Sequence, residues 1–108
     1  MMHAELKEQT VYETLEPHDT YFFKLGSHGM VCFHGRNYSL KKTLSPEQIT
    51  ALLADPAFCR VSNQYYANVS KVHAIQGTTL LFRDEFHGIK TLPASRRAAE
   101  EIRRRKSM

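Results

Sequence analysis

The sequence lacks tryptophan, holds only two cysteines and has no long apolar run. Each shortage excludes something. No stretch approaches the ~20 apolar residues that a membrane-spanning helix needs. Cys32 and Cys59 do not make a disulfide framework in a chain whose polar start, Met1 to Thr10, is unlike an export signal. The expected compartment is therefore a reducing cytoplasm. No internal repeat, low-complexity tract or Gly/Ser linker divides the chain. With 108 residues, it is expected to form one domain around one core. Hydrophobic residues at 42% and charged residues at 24% are near the globular average, which argues against disorder throughout.

Catalytic signatures are missing as well. There is no Gly-rich phosphate loop and no strand–turn–helix nucleophile elbow. His28, Cys32 and His34 lie close in sequence, and Cys32 and His34 would share one face of a strand. A structural zinc site normally takes four ligands, however, and His73 and His87 are scattered. Nothing supplies an oxyanion hole for a Cys–His nucleophile. No enzyme activity, metal or cofactor is expected.

Acid is scarce once the first twenty residues are passed. Residues 1–20 hold one base, Lys7, against Glu5, Glu8, Glu13, Glu16 and Asp19. The rest holds 14 bases and 6 acids, a net of +8. The composition shifts at Pro17-His18-Asp19, so residues 1–18 read as an acidic leader with a strand at Val11–Leu15, and 19–108 as the domain. A basic body with an acidic leader fits a polyanionic partner.

What the domain does have is short strands. Tyr21–Leu25, Met30–His34 and Tyr38–Leu40, with a turn at Gly35-Arg36-Asn37, suit antiparallel hairpins. Tyr65–Val69, Val72–Gln76, Thr79–Arg83 and His87–Leu92 follow, with turns at Gly77 and Asp84–Phe86. One helix is signalled by Ser45-Pro46-Glu47-Gln48, a capping box with proline at the first helical position. Ile49, Leu52 and Leu53 form its apolar stripe, and Asp55-Pro56 ends it. Ser95 caps a last helix toward Arg105, with Glu100 and Glu101 four residues before Arg104 and Arg105. The fold class is mostly β, with one short inserted helix and a short basic C-terminal helix.

Two places point outward. Arg96 and Arg97 follow the cap Ser95, where cations oppose the helix macrodipole at a cost of ~0.3–1 kcal/mol each. An anionic partner nearby would offset that cost. The stretch Phe58-Cys59-Arg60-Val61-Ser62-Asn63-Gln64-Tyr65-Tyr66-Ala67-Asn68-Val69 mixes core residues (Phe58, Val61, Tyr65, Val69) with hydrogen-bonding ones. Asn63 and Gln64 can each make a donor–acceptor pair to adenine, beside Arg60 as a phosphate clamp. Asn68 is expected to bond its own backbone in a turn. Ser62, Lys71 and the run Arg103-Arg104-Arg105-Lys106 complete the candidate contacts.

This stretch resembles the LytTR family of bacterial DNA-binding domains. The carrying residues are Phe58, Arg60, Ser62-Asn63-Gln64-Tyr65-Tyr66-Ala67-Asn68, the strand Val72 to Ile75, and Leu92-Pro93-Ala94-Ser95-Arg96-Arg97. The resemblance covers about residues 19–105. It implies a small antiparallel-sheet fold that reads promoter direct repeats with loops in the grooves of double-stranded DNA. Two copies would then sit on each site. It places base contacts on His28, Asn63 and Arg97. Arg60, Ser62, Gln64, Lys71, Ser95, Arg96, Arg103, Arg104, Arg105 and Lys106 become secondary or phosphate contacts. The family usually has His where this chain has Ser62, and often Ser at Gln64. It usually follows a receiver domain, which residues 1–18 cannot hold, so the chain is similar to single-domain regulators. Some of those pair with an inhibitory membrane protein. Two alternatives stay open on the residues alone: an RNA-binding module and a protein-interaction subunit with a basic face. Tyr21, Phe22, Phe23, Tyr65 and Tyr66 are expected to alternate along strands and to lie mostly in the core, which disfavours base stacking on exposed aromatics.

Overall fold

The computed structural model describes residues 16–36, 38–84 and 88–107. Its strands are β1 (Phe22–Leu25), β2 (Met30–His34), β3 (Ser39–Thr43), β4 (Phe58–Arg60), β5 (Tyr65–Asn68), β6 (Ala74–Gln76), β7 (Thr79–Asp84) and β8 (Gly88–Pro93). Its helices are α1 (Pro46–Ala54) and α2 (Arg96–Lys106). Two antiparallel sheets result, a central one ordered β3-β2-β1-β5-β4 and a smaller one ordered β6-β7-β8. The fold is mostly β with two helices, as the sequence predicts. The expected strand Val11–Leu15 lies outside the described residues.

Adjacent side chains of β1 are both buried, Phe22 at 8% and Phe23 at 0% exposure. Successive strand residues point to opposite faces, so the central sheet is covered on both. On one face Phe22, Cys59 and Ala67 pack against Leu80, Phe82 and Leu92 of the small sheet and Ala98 and Ile102 of α2. On the other, Phe23, Val31, Phe33 and Phe58 pack against Leu52 of α1. The expectation of one core is thus corrected to two. Tyr21, Phe22 and Phe23 are all buried, as expected of core aromatics, though on both faces of the sheet, and Tyr65 and Tyr66 are half-buried. A continuous apolar run belongs to a strand covered on both sides. Phe23 anchors the second core, stacked on Tyr66 at 5.1 Å between ring centres and meeting Phe58 edge-on at 5.0 Å.

The helices begin where their caps dictate. Ser45 Oγ accepts from the Gln48 N–H at 3.1 Å, and Gln48 Oε1 accepts from the Ser45 N–H at 2.9 Å. Ile49, Leu52 and Leu53 form the face that α1 turns to the sheet. In α2, Ser95 Oγ accepts from the Ala98 N–H at 3.1 Å, and Ala98, Ala99 and Ile102 are buried. Glu101 pairs with Arg104 at 2.5 Å and with Arg105 at 3.0 Å. Glu100 instead turns back to Arg96 at 3.8 Å, not forward to Arg104 as expected.

Three strands differ from expectation by more than one residue. Phe58–Arg60 is a strand, because Cys59 pairs with Ala67 across from β5. The third strand runs on to Thr43, held by Met30 opposite it. The strand expected from Val72 starts at Ala74, because Asn68 caps a 3-10 turn at Val69–Lys71.

The register gives the central sheet two ends. At one, β1 finishes with Leu25 opposite Val31, and Lys24 faces Tyr65, where β5 begins. At the other, Phe22 faces His34 and Ala67. Helix α2 runs between the ends. The Ser95 N–H at its start donates to Val61 O at 2.7 Å, and Lys106 Nζ at its finish donates to Val69 O at 3.2 Å. Eleven helical residues span about 16 Å.

Candidate nucleic-acid interface

Three turns gather at the end where β1 finishes. In the first, the Gly26 N–H donates to Met30 O at 2.7 Å and the Met30 N–H to Ser27 O at 3.1 Å. This closure puts His28 at φ 58° and Gly29 at φ 78°. Glycine is required at 29, because a Cβ there would sit 2.7 Å from Leu44 O. His28 holds the left-handed conformation without that freedom, at a cost of about 1–2 kcal/mol. The turn projects its imidazole, and His28 is exposed.

The second turn is Ser62-Asn63-Gln64, closed by the Val61 N–H donating to Tyr65 O at 2.9 Å. It is tied to the first turn because the Leu25 N–H donates to Gln64 O at 2.9 Å. It is tied to the third, Ala94-Ser95-Arg96-Arg97, through the Ser95 N–H and Val61 O. The Asn63 turn therefore sits between the other two. Asn63, Gln64, Ser95, Arg96 and Arg97 are exposed, and Ser62 is half-buried. No hydrogen bond or ion pair engages the His28 ring or the Arg97 guanidinium among the described residues. Arg60 is engaged: its Nε donates to Ser62 O at 3.2 Å, and its Nη2 donates to Asn63 O at 3.2 Å and to Asn63 Oδ1 at 3.3 Å.

Of the remaining candidate cations, Lys71, Arg105 and Lys106 lie toward the opposite end, and the tail run bonds within the fold. Arg103 donates to Gly77 O at 2.5 Å, Arg105 to Pro56 O at 3.1 Å and Lys106 to Val69 O. Arg104 and then Arg105 hold the Glu101 carboxyl below its usual range by hydrogen bonding. Lys71 is exposed at this end, where it lines an open cleft with Arg36, Arg83, His73 and Lys106. Arg36 and Arg83 are too far apart in sequence for any spacing to have paired them.

The histidines and cysteines go to separate places. His28 is at the turn tip, whereas His34 stacks on Phe22 with ring centres 4.7 Å apart. Burial holds the His34 imidazole below its ordinary value, with Lys90 and Lys24 adding to the effect. Burial raises the Cys59 thiol. Among the described residues no group of three or more His, Cys, Asp or Glu is placed to hold a metal ion. Asn68 does more than its expected turn bond. Its Oδ1 accepts from Ser70, and its Nδ2 donates to His18 O at 2.8 Å and Thr20 O at 2.9 Å, with the side chain 1% exposed. Those long-range bonds have no sequence signal.

The sequence model of the LytTr DNA-binding domain matches residues 11–107. The chain belongs to the LytTR family of DNA-binding domains. A solved LytTr DNA-binding domain from Bacillus cereus has the same fold, at 16% identity and a TM-score of 0.57, covering 87% of this chain and 86% of that one. No curated protein matches the sequence. As a LytTR domain the chain is a DNA-binding regulator, and the family is not an enzyme family. No helix among the described residues is long and apolar enough to cross a membrane.

Proposed function

We propose that this LytTR domain recognises promoter DNA with its three clustered turns. His28, Asn63 and Arg97 reach base edges, and two copies bind imperfect direct repeats. The observation that carries the reading is the backbone linkage of the turns. At one end of the central sheet three exposed polar side chains stand in a fixed order, with Asn63 in the middle. This arrangement is stiff, because the first two turns are closed by their own hydrogen bonds, the third is capped by Ser95, and each is tied to its neighbour. Arg97 supplies a planar fork suited to guanine, and Arg96 beside it suits a flanking phosphate. The first turn of α2 holds no acid, which keeps that approach open to an anion.

The order of the turns makes the reading testable. Selection from a random duplex library should give one binding motif for the native protein. Alanine at position 28, 63 or 97 should each relax a different part of that motif. The part relaxed by Asn63→Ala should lie between the other two. A uniform loss on all sequences, or a middle position belonging to His28 or Arg97, would overturn the proposal. Tighter binding to single-stranded RNA than to any duplex would favour the RNA-module reading instead.

A further inference from the structure

Arg60 is the last residue of β4 and is exposed, the usual setting for a phosphate contact. Its side chain nevertheless folds back over the next turn and donates to three oxygens: Ser62 O at 3.2 Å, Asn63 O at 3.2 Å and Asn63 Oδ1 at 3.3 Å. A guanidinium has donors only. The Asn63 side-chain atom that faces it must therefore be the carbonyl oxygen, which removes the usual ambiguity between amide oxygen and nitrogen. With Oδ1 turned toward Arg60, the Nδ2 amine is the part of Asn63 left to meet a partner.

We infer that Arg60 is a positioning residue that fixes the Asn63 amide with its donors outward, so that this turn reads hydrogen-bond acceptors on a base pair. The inference rests on the proposed role of Asn63 in base recognition and specifies the chemistry of that contact. An amide free to rotate can pair with adenine through one donor and one acceptor. An amide held by Arg60 offers donors, and it discriminates by the presence of an acceptor instead. The guanidinium is suited to this task because its fork spans several oxygens at once. Lysine is a point charge on a flexible stem and cannot hold the same set.

The test compares Arg60→Ala, Arg60→Lys, Asn63→Ala and the Arg60→Ala/Asn63→Ala double variant. Each is measured on the selected duplex, on random duplex and across a salt series, with circular dichroism confirming the fold. Arg60→Lys keeps the charge and guards against a folding defect in Arg60→Ala. A positioning role predicts that both Arg60 variants lose selectivity at the base pair that Asn63→Ala relaxes, by roughly tenfold. The double variant should lose no more than Asn63→Ala alone, because the two residues act as one unit. Random-duplex affinity and the salt slope should stay as in the native protein. At that base pair, removing a single acceptor should weaken native binding about tenfold, while removing an exocyclic amino donor should leave it unchanged.

Arg60→Ala could instead make the salt slope shallower by about 0.9, weaken random and selected duplex alike, and leave the Asn63 selectivity intact. Arg60 would then be a phosphate contact and the inference wrong, with the three-turn proposal still standing. Sensitivity to the amino donor would also overturn it, because the amide would then be reading with its oxygen. If Asn63→Ala itself leaves selectivity unchanged, the proposed role of Asn63 fails, and this inference with it.

Discussion

The two ends of the central sheet use the same kinds of side chain in opposite ways. At the end with the three turns, the His28 ring and the Arg97 guanidinium point outward with no partner among the described residues. At the other, Asn68, Arg105 and Lys106 turn inward onto backbone carbonyls. Arg97 and Arg105 lie on one helix, eight residues apart, and differ only in what the fold brings beside them. Charge composition therefore cannot separate recognition from cohesion. The +8 of residues 21–108 is divided between them.

The largest expected effect lies at the inward end. Asn68→Ala leaves the buried Thr20 carbonyl and the His18 carbonyl without their donor. An unsatisfied buried group costs ~1–3 kcal/mol, so the variant should lose about 3 kcal/mol of stability in urea unfolding. Its folded fraction should keep the native base preference. Altered preference would show that the two ends are not independent.

Arg97→Ala should behave in the reverse manner. It should cost ~1–3 kcal/mol on the selected duplex and less on random DNA. Stability should move by no more than ~0.5 kcal/mol, as for other exposed substitutions. Equal losses on the two DNAs would demote Arg97 to a phosphate contact.

His28→Gly sharpens the contrast, because the outward end carries strain. Glycine removes the cost of φ 58° and adds entropy to the unfolded chain, for a net gain of up to ~1 kcal/mol. Binding to the selected duplex should weaken in the same variant. A stability loss would mean that the imidazole contributes packing which its exposure does not suggest.

The smallest effect concerns the strap at the inward end, where His18 Nε2 lies 2.6 Å from Asp55 Oδ2. The hydrogen bond to Asp55 raises the His18 imidazole above its ordinary value. The Ala57 N–H, and then His18, lower the Asp55 carboxyl. Stabilisation from His18 is full below ~6.5 and fades as pH rises through its raised value. That from Asp55 is present above ~4 and is lost as pH falls through its lowered value. Thermal midpoints should therefore show a shallow decline from pH 6 to 8 that His18→Gln flattens. Identical profiles would show that the strap holds nothing.

Much of this was legible in the chain. The capping box at Ser45 and the cap at Ser95 fixed both helix starts, because capping is a bond between near neighbours. The ordered set from Phe58 to Asn68 and from Leu92 to Arg97 pointed to the LytTR family, which the match over residues 11–107 established. It also named the turns that the fold brings together. Hairpin closure and helix capping are local, so residues a few places apart suffice to specify them.

Other features depended on contacts that no local pattern encodes. The second core exists because α1 covers one face of the central sheet while the small sheet and α2 cover the other. Nothing in Phe22-Phe23 says what will lie above and below it. The tail cations, expected as phosphate contacts, have the carbonyls of Gly77, Pro56 and Val69 within their reach, which no local pattern announces. Arg60, expected as a phosphate clamp, has its fork on the Asn63 oxygens, a contact that the spacing alone does not announce. A charged side chain spends its donors on whatever acceptor is nearest in space. The sequence determined which residues carry donors, and only the tertiary structure decided which of them remain free for a partner.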